Sequence, residues 1–156
     1  KQERATTHIT LYRIVALDDA EDAFVAPSAP AGGRWTSAGA QVVYASLSPA
    51  CALLEYLAHL DTEVPHALRL IVAGIPTDSM LPVGDLPDDW DAYPYRSHVQ
   101  QIGDRWLEEG KSLAMSVPSA LSPRERNILI NLRYGGRAEL GVLSHDTLHI
   151  DPRLRR

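Results

Sequence analysis

The segment that most constrains the fold is a nearly continuous apolar run, ALRLIVAGI, at Ala67–Ile75. It is short and lies between Pro65 and Pro76, which favours a strand buried at the centre of a sheet over a helix. Two other runs rich in β-branched and aromatic residues, Ile9–Leu17 and Gln41–Ser46, also have the composition of strands. The sequence therefore predicts a sheet with a buried strand at its centre.

Helix starts are marked by serine followed by proline, a capping side chain ahead of a residue suited to the first helical position. One such pair predicts a helix that Ser48 caps and that continues to about Leu60. Ser97 caps a second predicted helix, which ends before Gly110. A further Ser-Pro pair predicts a short third helix over Ser122–Asn131.

The remaining strands are predicted at Lys111–Val117, Ala138–Leu143 and Thr147–Ile150, with a turn at His145-Asp146 between the last two. Asp18–Gly33 is a loop long enough to suggest a functional role. Strands and helices are interleaved, but several strand pairs lack a crossover helix. The pattern predicts a single α+β domain with a mixed or antiparallel sheet and short helices.

Composition narrows the class of protein. A chain of 156 residues suits one domain, and 15 Lys and Arg against 20 Asp and Glu give a net charge of −5, which disfavours direct contact with nucleic acid. The single cysteine excludes an internal disulfide and favours the cytoplasm. No apolar run is long enough to cross a membrane. Residues 1–8 are polar and are expected to form a disordered or engineered N-terminal extension.

Several reactive side chains have a plainer explanation than catalysis. Cys51 lies near a helix start, where the dipole favours a thiolate, but its apolar neighbours favour a packing residue. Ser144, His145 and Asp146 are the residue types of a catalytic triad, yet adjacent side chains point apart. His145 and His149 lack a third ligand for zinc, and Asp85–Asp91 lacks the spacing of a calcium loop. We therefore predict no metal site.

A more informative set is spread over three predicted elements. Arg34 ends the long loop, Tyr44 lies on the next strand, and Glu55 lies on the first helix. The helical neighbours of Glu55 include small residues, which leave space beside its carboxylate. Each of these residues taken alone is most often solvated or structural. A function can be assigned to them only together with the other motifs of the sequence.

Seven short motifs occur in a fixed order along the chain: LYRI at Leu11–Ile14, GGRW at Gly32–Trp35, VVYAS at Val42–Ser46, an A-x-x-E helix ending at Glu55, IGDRWL at Ile102–Leu107, VPSA at Val117–Ala120 and NILIN at Asn127–Asn131. Together they resemble the RES domain family, named for its Arg, Glu and Ser, whose members are toxins of bacterial toxin–antitoxin pairs. The resemblance extends over most of the chain, and it implies that residues 9–156 form a RES domain.

The resemblance implies a fold similar to ADP-ribosyltransferases and an enzyme that consumes NAD+ without a metal. The family triad falls on Arg34, Glu55 and Ser119. Glu55 would stabilise the oxocarbenium-like ribose formed when the nicotinamide bond breaks. Arg34, with Arg13 as second choice, would hold the pyrophosphate, since guanidinium groups match phosphate oxygens. Tyr44 would stack on nicotinamide, and Ser119 would offer its hydroxyl to the ribose or the amide.

Three reactions share such a site and differ in what accepts ADP-ribose: a protein for an ADP-ribosyltransferase, water for an NAD+ glycohydrolase and phosphate for an NAD+ phosphorylase. A different class of function is a catalytically inactive RES-like module that acts only through complex formation. By family analogy, the partner is an Xre-type helix-turn-helix antitoxin that blocks the NAD+ pocket and supplies the contact with DNA. The analogy also implies a toxin dimer within the complex.

Overall fold

The computed structural model describes residues 7–155, so that residues 1–6 of the predicted N-terminal extension, and residue 156, lie outside the described part of the chain. The described residues form two α-helices, α1 (Pro49–Ala58) and α2 (Ser97–Glu109), and seven strands: β1 (His8–Val15), β2 (Val42–Ser46), β3 (Ala67–Pro76), β4 (Met80–Pro82), β5 (Ala114–Pro118), β6 (Arg126–Asn131) and β7 (Gly141–His149). Four short 3-10 helices are also present, one of them within the long predicted loop, at Leu17–Asp22.

The seven strands form one sheet in the order β4-β5-β6-β2-β1-β3-β7. All neighbours are antiparallel except β4 and β5, which are parallel. This architecture confirms the predicted α+β fold with a mixed sheet. The apolar run that forms β3 is paired on both sides, and Leu68 and Ile71 on it are fully buried. It lies second from an edge of the sheet and not at its centre.

The sheet opens between β1 and β2. Strand β1 pairs with β3 along its whole length, from His8 to Val15, but pairs with β2 only at Tyr12 opposite Ser46. The strands on either side of this seam therefore diverge, and the protein has room there for a cavity. Helix α1 packs beside the seam, where Ala52 lies in one apolar cluster with residues of β1 and β3.

Of the predicted helix caps, those at Ser48 and Gly110 are confirmed and the one at Ser97 is wrong. Ser97 is the first residue of α2, because the preceding Arg96 has the extended backbone of the cap position, and its side chain makes no capping hydrogen bond within residues 7–155. The Ser48 hydroxyl accepts a hydrogen bond from the Cys51 amide at 3.1 Å and so caps α1. Gly110 ends α2 with a positive φ of 61°, a conformation that costs glycine little. Helix α2 buries Val99 and Trp106 against the sheet.

The predicted third helix is wrong. The Ser-Pro pair at Ser122 starts a turn, in which the Glu125 amide donates to the Ser122 carbonyl at 2.8 Å, and the chain then enters β6. Strand β6 lies between β2 and β5 and so has apolar layers on both sides. Ile128 and Ile130 pack in one cluster and Leu129 in another. Alternation between two buried faces explains why three consecutive apolar residues form a strand here.

The predicted turn at His145-Asp146 is also wrong. Gly141–His149 is one continuous strand that pairs with β3, and a register shift opposite Val72 and Ala73 absorbs the irregularity in the pairing. No helix within residues 7–155 is long and apolar enough to cross a membrane.

Candidate active site

A cavity of about 650 Å³ lies over the seam between β1 and β2. Its volume is within the range of small-molecule sites. Its wall includes four of the five predicted site residues, Arg13, Arg34, Tyr44 and Glu55, although they come from four different segments of the chain. The fifth, Ser119, lies directly behind this wall. The fold thus brings together all the residues that the family resemblance selected.

Glu55 lies on the last turn of α1 and has one carboxylate oxygen firmly held. Its Oε1 accepts hydrogen bonds from the Ser119 hydroxyl and from the Asn127 side-chain amide, each at 2.7 Å. Among residues 7–155, no group donates to its Oε2. One oxygen is therefore anchored to the protein, while the other is left for a ligand in the cavity.

Ser119 is fully buried immediately after β5. Its oxygen accepts hydrogen bonds from the amides of Leu121 and Ser122, at 3.2 and 3.3 Å, so its proton is directed to Glu55. The expectation was a hydroxyl offered to the ribose or the amide of the substrate. The structure places that hydroxyl on Glu55 instead, which makes Ser119 a residue that orients the carboxylate.

Arg34 is held from one side only. Its Nη1 donates to the carbonyls of Trp90 and Ala92, at 3.1 and 2.7 Å, and its guanidinium lies 5.1 Å from the centre of the Tyr95 ring. Its other nitrogens have no hydrogen-bond partner among the described residues. The half-buried guanidinium can therefore bind an anion in the cavity, in the bidentate geometry that suits phosphate.

The backbone around Arg34 depends on two glycines that allow close packing. A Cβ on Gly33 would lie 2.8 Å from the Tyr44 hydroxyl. A Cβ on Gly103 of α2 would lie 1.9 Å from the Trp35 carbonyl oxygen, so the helix rests directly on the backbone next to Arg34. The GGRW segment is thus wedged between β2 and α2, which fixes the arginine over the cavity.

Tyr44 and Arg13 complete the predicted wall. The Tyr44 hydroxyl forms a 2.6 Å hydrogen bond with Thr36, and burial raises its pKa far above the usual range, so the phenol stays neutral. Arg13 donates to the Ala23 carbonyl, and burial lowers its pKa to about 10. It remains a cation at neutral pH, so the cavity contains two positive groups, one on the Arg34 loop and one on β1.

Three residues at the site were missed by sequence reasoning. Asn127 belongs to the NILIN motif, but the predicted third helix hid its position in the sheet. His59 bonds the Glu55 carbonyl at 2.7 Å through Nδ1 and the Tyr95 hydroxyl at 3.0 Å through Nε2, which ties the end of α1 to the loop that holds Arg34. A polar residue inside an apolar strand motif was the available signal for Asn127; no local signal marked Tyr95 or His59.

The structure also shows where the other reactive side chains lie. Cys51 is buried, and burial raises the pKa of its thiol, which disfavours a nucleophile. His145 and His149 are exposed on β7. In the part of the chain that the structure describes, no three His, Cys, Asp or Glu side chains are placed to hold a metal ion.

Comparison with known proteins decides the family. The sequence profile of the RES domain matches residues 10–150. The chain belongs to the RES domain family. Two relatives are both named Toxin Res: one from Photorhabdus laumondii subsp. laumondii is 34% identical over 78% of this chain and 80% of its own length, and one from Pseudomonas putida is 38% identical over 65% and 72%.

Two further matches rest on sequence and on structure, respectively. A relative from Sphingobium sp. (strain YBL2), named Prs ADP-ribosylating toxin, is 33% identical over 72% of this chain and 74% of its own length. The crystal structure of the M. tuberculosis MbcT-MbcA toxin-antitoxin complex contains a chain with a TM-score of 0.69 that matches 92% of this chain and 86% of its own, at 16% identity. The second likeness concerns the fold, and it agrees with the predicted α+β class.

Proposed function

We propose that this RES domain is the toxin of a bacterial toxin–antitoxin pair and that it consumes NAD+ by breaking the nicotinamide N-glycosidic bond. The relatives named as toxins, one of them as ADP-ribosylating, support the class. The observation that carries the proposal is the Glu55 carboxylate, held through one oxygen at a cavity that also contains Arg34 and Arg13. This donor set fits a substrate with an anionic pyrophosphate and a cationic nicotinamide ring.

The chemistry follows from the charge that develops during bond cleavage. When the bond between the ribose C1″ and the nicotinamide nitrogen breaks, the electron pair leaves with nicotinamide, and the ribose gains positive charge. The free Oε2 of Glu55 would stabilise that charge. An acceptor O–H then bonds to C1″ through oxygen and releases its proton, so nicotinamide and an ADP-ribosyl product result. A fixed carboxylate acts here as it does in glycoside hydrolysis.

Binding would be shared among several residues of the cavity wall. The unpartnered nitrogens of Arg34 would take a pyrophosphate oxygen pair, and the cationic Arg13 would add attraction. Tyr44 presents its neutral ring at the same cavity and would stack on nicotinamide. Ser119 would act through Glu55, because its hydroxyl is already engaged by that carboxylate.

The proposed partner is an Xre-type helix-turn-helix antitoxin that covers the NAD+ pocket in a complex containing a toxin dimer. The net charge of −5 supports a division of labour in which the partner, and not this chain, contacts DNA. The toxin–antitoxin complex formed by the structural neighbour supports the kind of assembly. The lone cysteine supports a cytoplasmic setting, where NAD+ is available.

The test is to incubate the purified chain with NAD+ labelled in the adenylate half, with buffer alone, with inorganic phosphate and with cell lysate. Nicotinamide release is expected in at least one arm. Free ADP-ribose identifies a glycohydrolase, ADP-ribose-1″-phosphate a phosphorylase, and a labelled protein band an ADP-ribosyltransferase. No release in any arm contradicts the proposal and favours the alternative, an inactive RES-like binding module.

A further inference from the structure

Behind the proposed catalytic carboxylate lies a small polar cluster that centres on Asn127. Its Nδ2 donates to Glu55 Oε1 at 2.7 Å. Its Oδ1 accepts from the Ser46 hydroxyl at 2.8 Å and from the Cys51 thiol at 3.6 Å. Every polar atom of this side chain is therefore used, in a strand whose next three residues are apolar and buried.

The pairing of the strands explains why the side chain reaches the site. Ser46 of β2 and Asn127 of β6 are directly opposite each other in an antiparallel pair, so their side chains lie on the same face of the sheet. Helix α1 covers this face, with Cys51 and Glu55 one turn apart. The amide thus lies between the strand and the helix.

The orientation of the amide is determined chemically on both sides. An ionised carboxylate only accepts hydrogen bonds, so it must meet the NH2 group of Asn127. The Ser46 hydroxyl and the Cys51 thiol then meet the carbonyl oxygen as donors. A flipped amide would place its oxygen against the Glu55 carboxylate and lose these contacts.

We infer that Asn127 is a positioning residue for the proposed reaction: with Ser119 it holds Oε1 of Glu55 and so keeps Oε2 directed into the cavity. The inference rests on the proposed function. The two donors come from different places, one just beyond β5 and one from β6, so together they define the plane of the carboxylate. With one donor removed, the carboxylate can rotate about the other.

The test uses Asn127→Ala, Asn127→Asp and, as a matched control, Asn131→Ala. Asn131 is a buried asparagine on the same strand, and its amide donates to the Leu107 carbonyl at 3.3 Å, away from the cavity. Asn127→Ala should lower kcat for nicotinamide release about ten- to a hundredfold, the effect of losing a hydrogen bond to a charged group, with little change in KM. The control should lose thermal stability but keep kcat within about threefold.

Asn127→Asp replaces the donor with a second carboxylate of the same shape beside Glu55. Two carboxylates at this separation share a proton, so the acid limb of kcat/KM should move to higher pH by about one unit or more. This shift reports the contact between position 127 and the Glu55 carboxylate. The loss of kcat at unchanged KM in Asn127→Ala, set against the Asn131→Ala control, reports the positioning role.

Other titratable groups near Glu55 do not account for a shift in the acid limb of kcat/KM. Burial raises the pKa of Cys51 and of Tyr95, so neither ionises in the acid range. His59 contacts the Glu55 backbone, and Glu125 accepts a hydrogen bond from the cap of α1 at 3.3 Å. Both are present in every variant, so a difference between the profiles arises from the change at position 127.

The outcomes distinguish a failure of the proposed function from a failure of the role inferred for Asn127. Wild-type protein that releases no nicotinamide contradicts the proposed function. Active wild type together with unchanged kcat and acid limb in Asn127→Asp contradicts the inference alone. If Asn127→Ala fails to fold, the isosteric Asn127→Asp still decides it through its kcat and its acid limb.

Discussion

Replacing Glu55 by Gln tests the proposed chemistry most directly, because the structure limits what the substitution changes. The Oε1 atom accepts from both Ser119 and Asn127, and a Gln side chain can keep its carbonyl oxygen there. Its NH2 group then takes the place of Oε2 at the cavity. Shape and anchoring remain, and only the negative charge facing the substrate is lost.

The expected size of the effect follows from that difference. Removing one preorganised electrostatic group costs roughly 10²- to 10³-fold in kcat, or about 2.7 to 4 kcal/mol in the activation free energy. NAD+ affinity should change far less, because Arg34 and Arg13 are untouched. If the amide instead turned its NH2 toward Ser119 and Asn127, donors would face donors, and the free energy of unfolding would fall by about 1 to 3 kcal/mol. A thermal melt therefore reports which orientation the amide takes.

The assay is nicotinamide release followed by chromatography, with NAD+ affinity measured by calorimetry on the same samples. The matched control is Glu109→Gln, since Glu109 is more than half exposed and its one ion pair within residues 7–155 is with Lys111 at 3.6 Å. The control should keep wild-type turnover. Glu55→Gln protein that is folded, binds NAD+ and retains at least half the wild-type rate would refute the role of the carboxylate.

Three further predictions concern binding, packing and reactivity. Arg34→Ala should weaken NAD+ binding by about tenfold or more, and an unchanged Kd by calorimetry would reject its role in holding phosphate. Gly103→Ala forces a Cβ against the Trp35 carbonyl oxygen; overpacking should cost about 1 to 3 kcal/mol and lower Tm by several degrees, whereas Gly84→Ala, with open space around it, should not. Cys51, with its pKa raised by burial, should be alkylated more slowly at pH 8 in the folded protein than in urea, and equal rates would contradict the burial argument.

The cavity and the proposed catalytic carboxylate depend on one structural feature. Because β1 and β2 pair at a single position, the sheet leaves an opening that α1 borders with Glu55. Another border is the GGRW segment that carries Arg34. Carbonyls of the segment at residues 90–92 hold its guanidinium, and the Trp35 backbone rests on α2 at Gly103. Substitutions that close the seam or lift α2 should therefore impair binding without touching the substrate.

The sequence alone was sufficient for the features that rest on neighbouring residues. Ser48 before a proline placed the start of α1, Gly110 placed the end of α2, and the apolar run at Ala67–Ile75 predicted a buried strand. Caps and strand composition are local interactions, so they can be recognised within a few positions. The ordered motifs likewise identified the RES family and the residues that line the cavity.

Only the tertiary structure decided which atoms meet. Glu55 is held by residues 64 and 72 positions away, and Arg34 by carbonyls 56 and 58 positions away. The same long-range pairing made Arg126–Asn131 a strand between two buried layers, although a Ser-Pro pair ahead of it signalled a helix. Sheet contacts between distant segments outweigh a local helix signal, and they alone turned Ser119 toward Glu55 and brought Asn127 beside it.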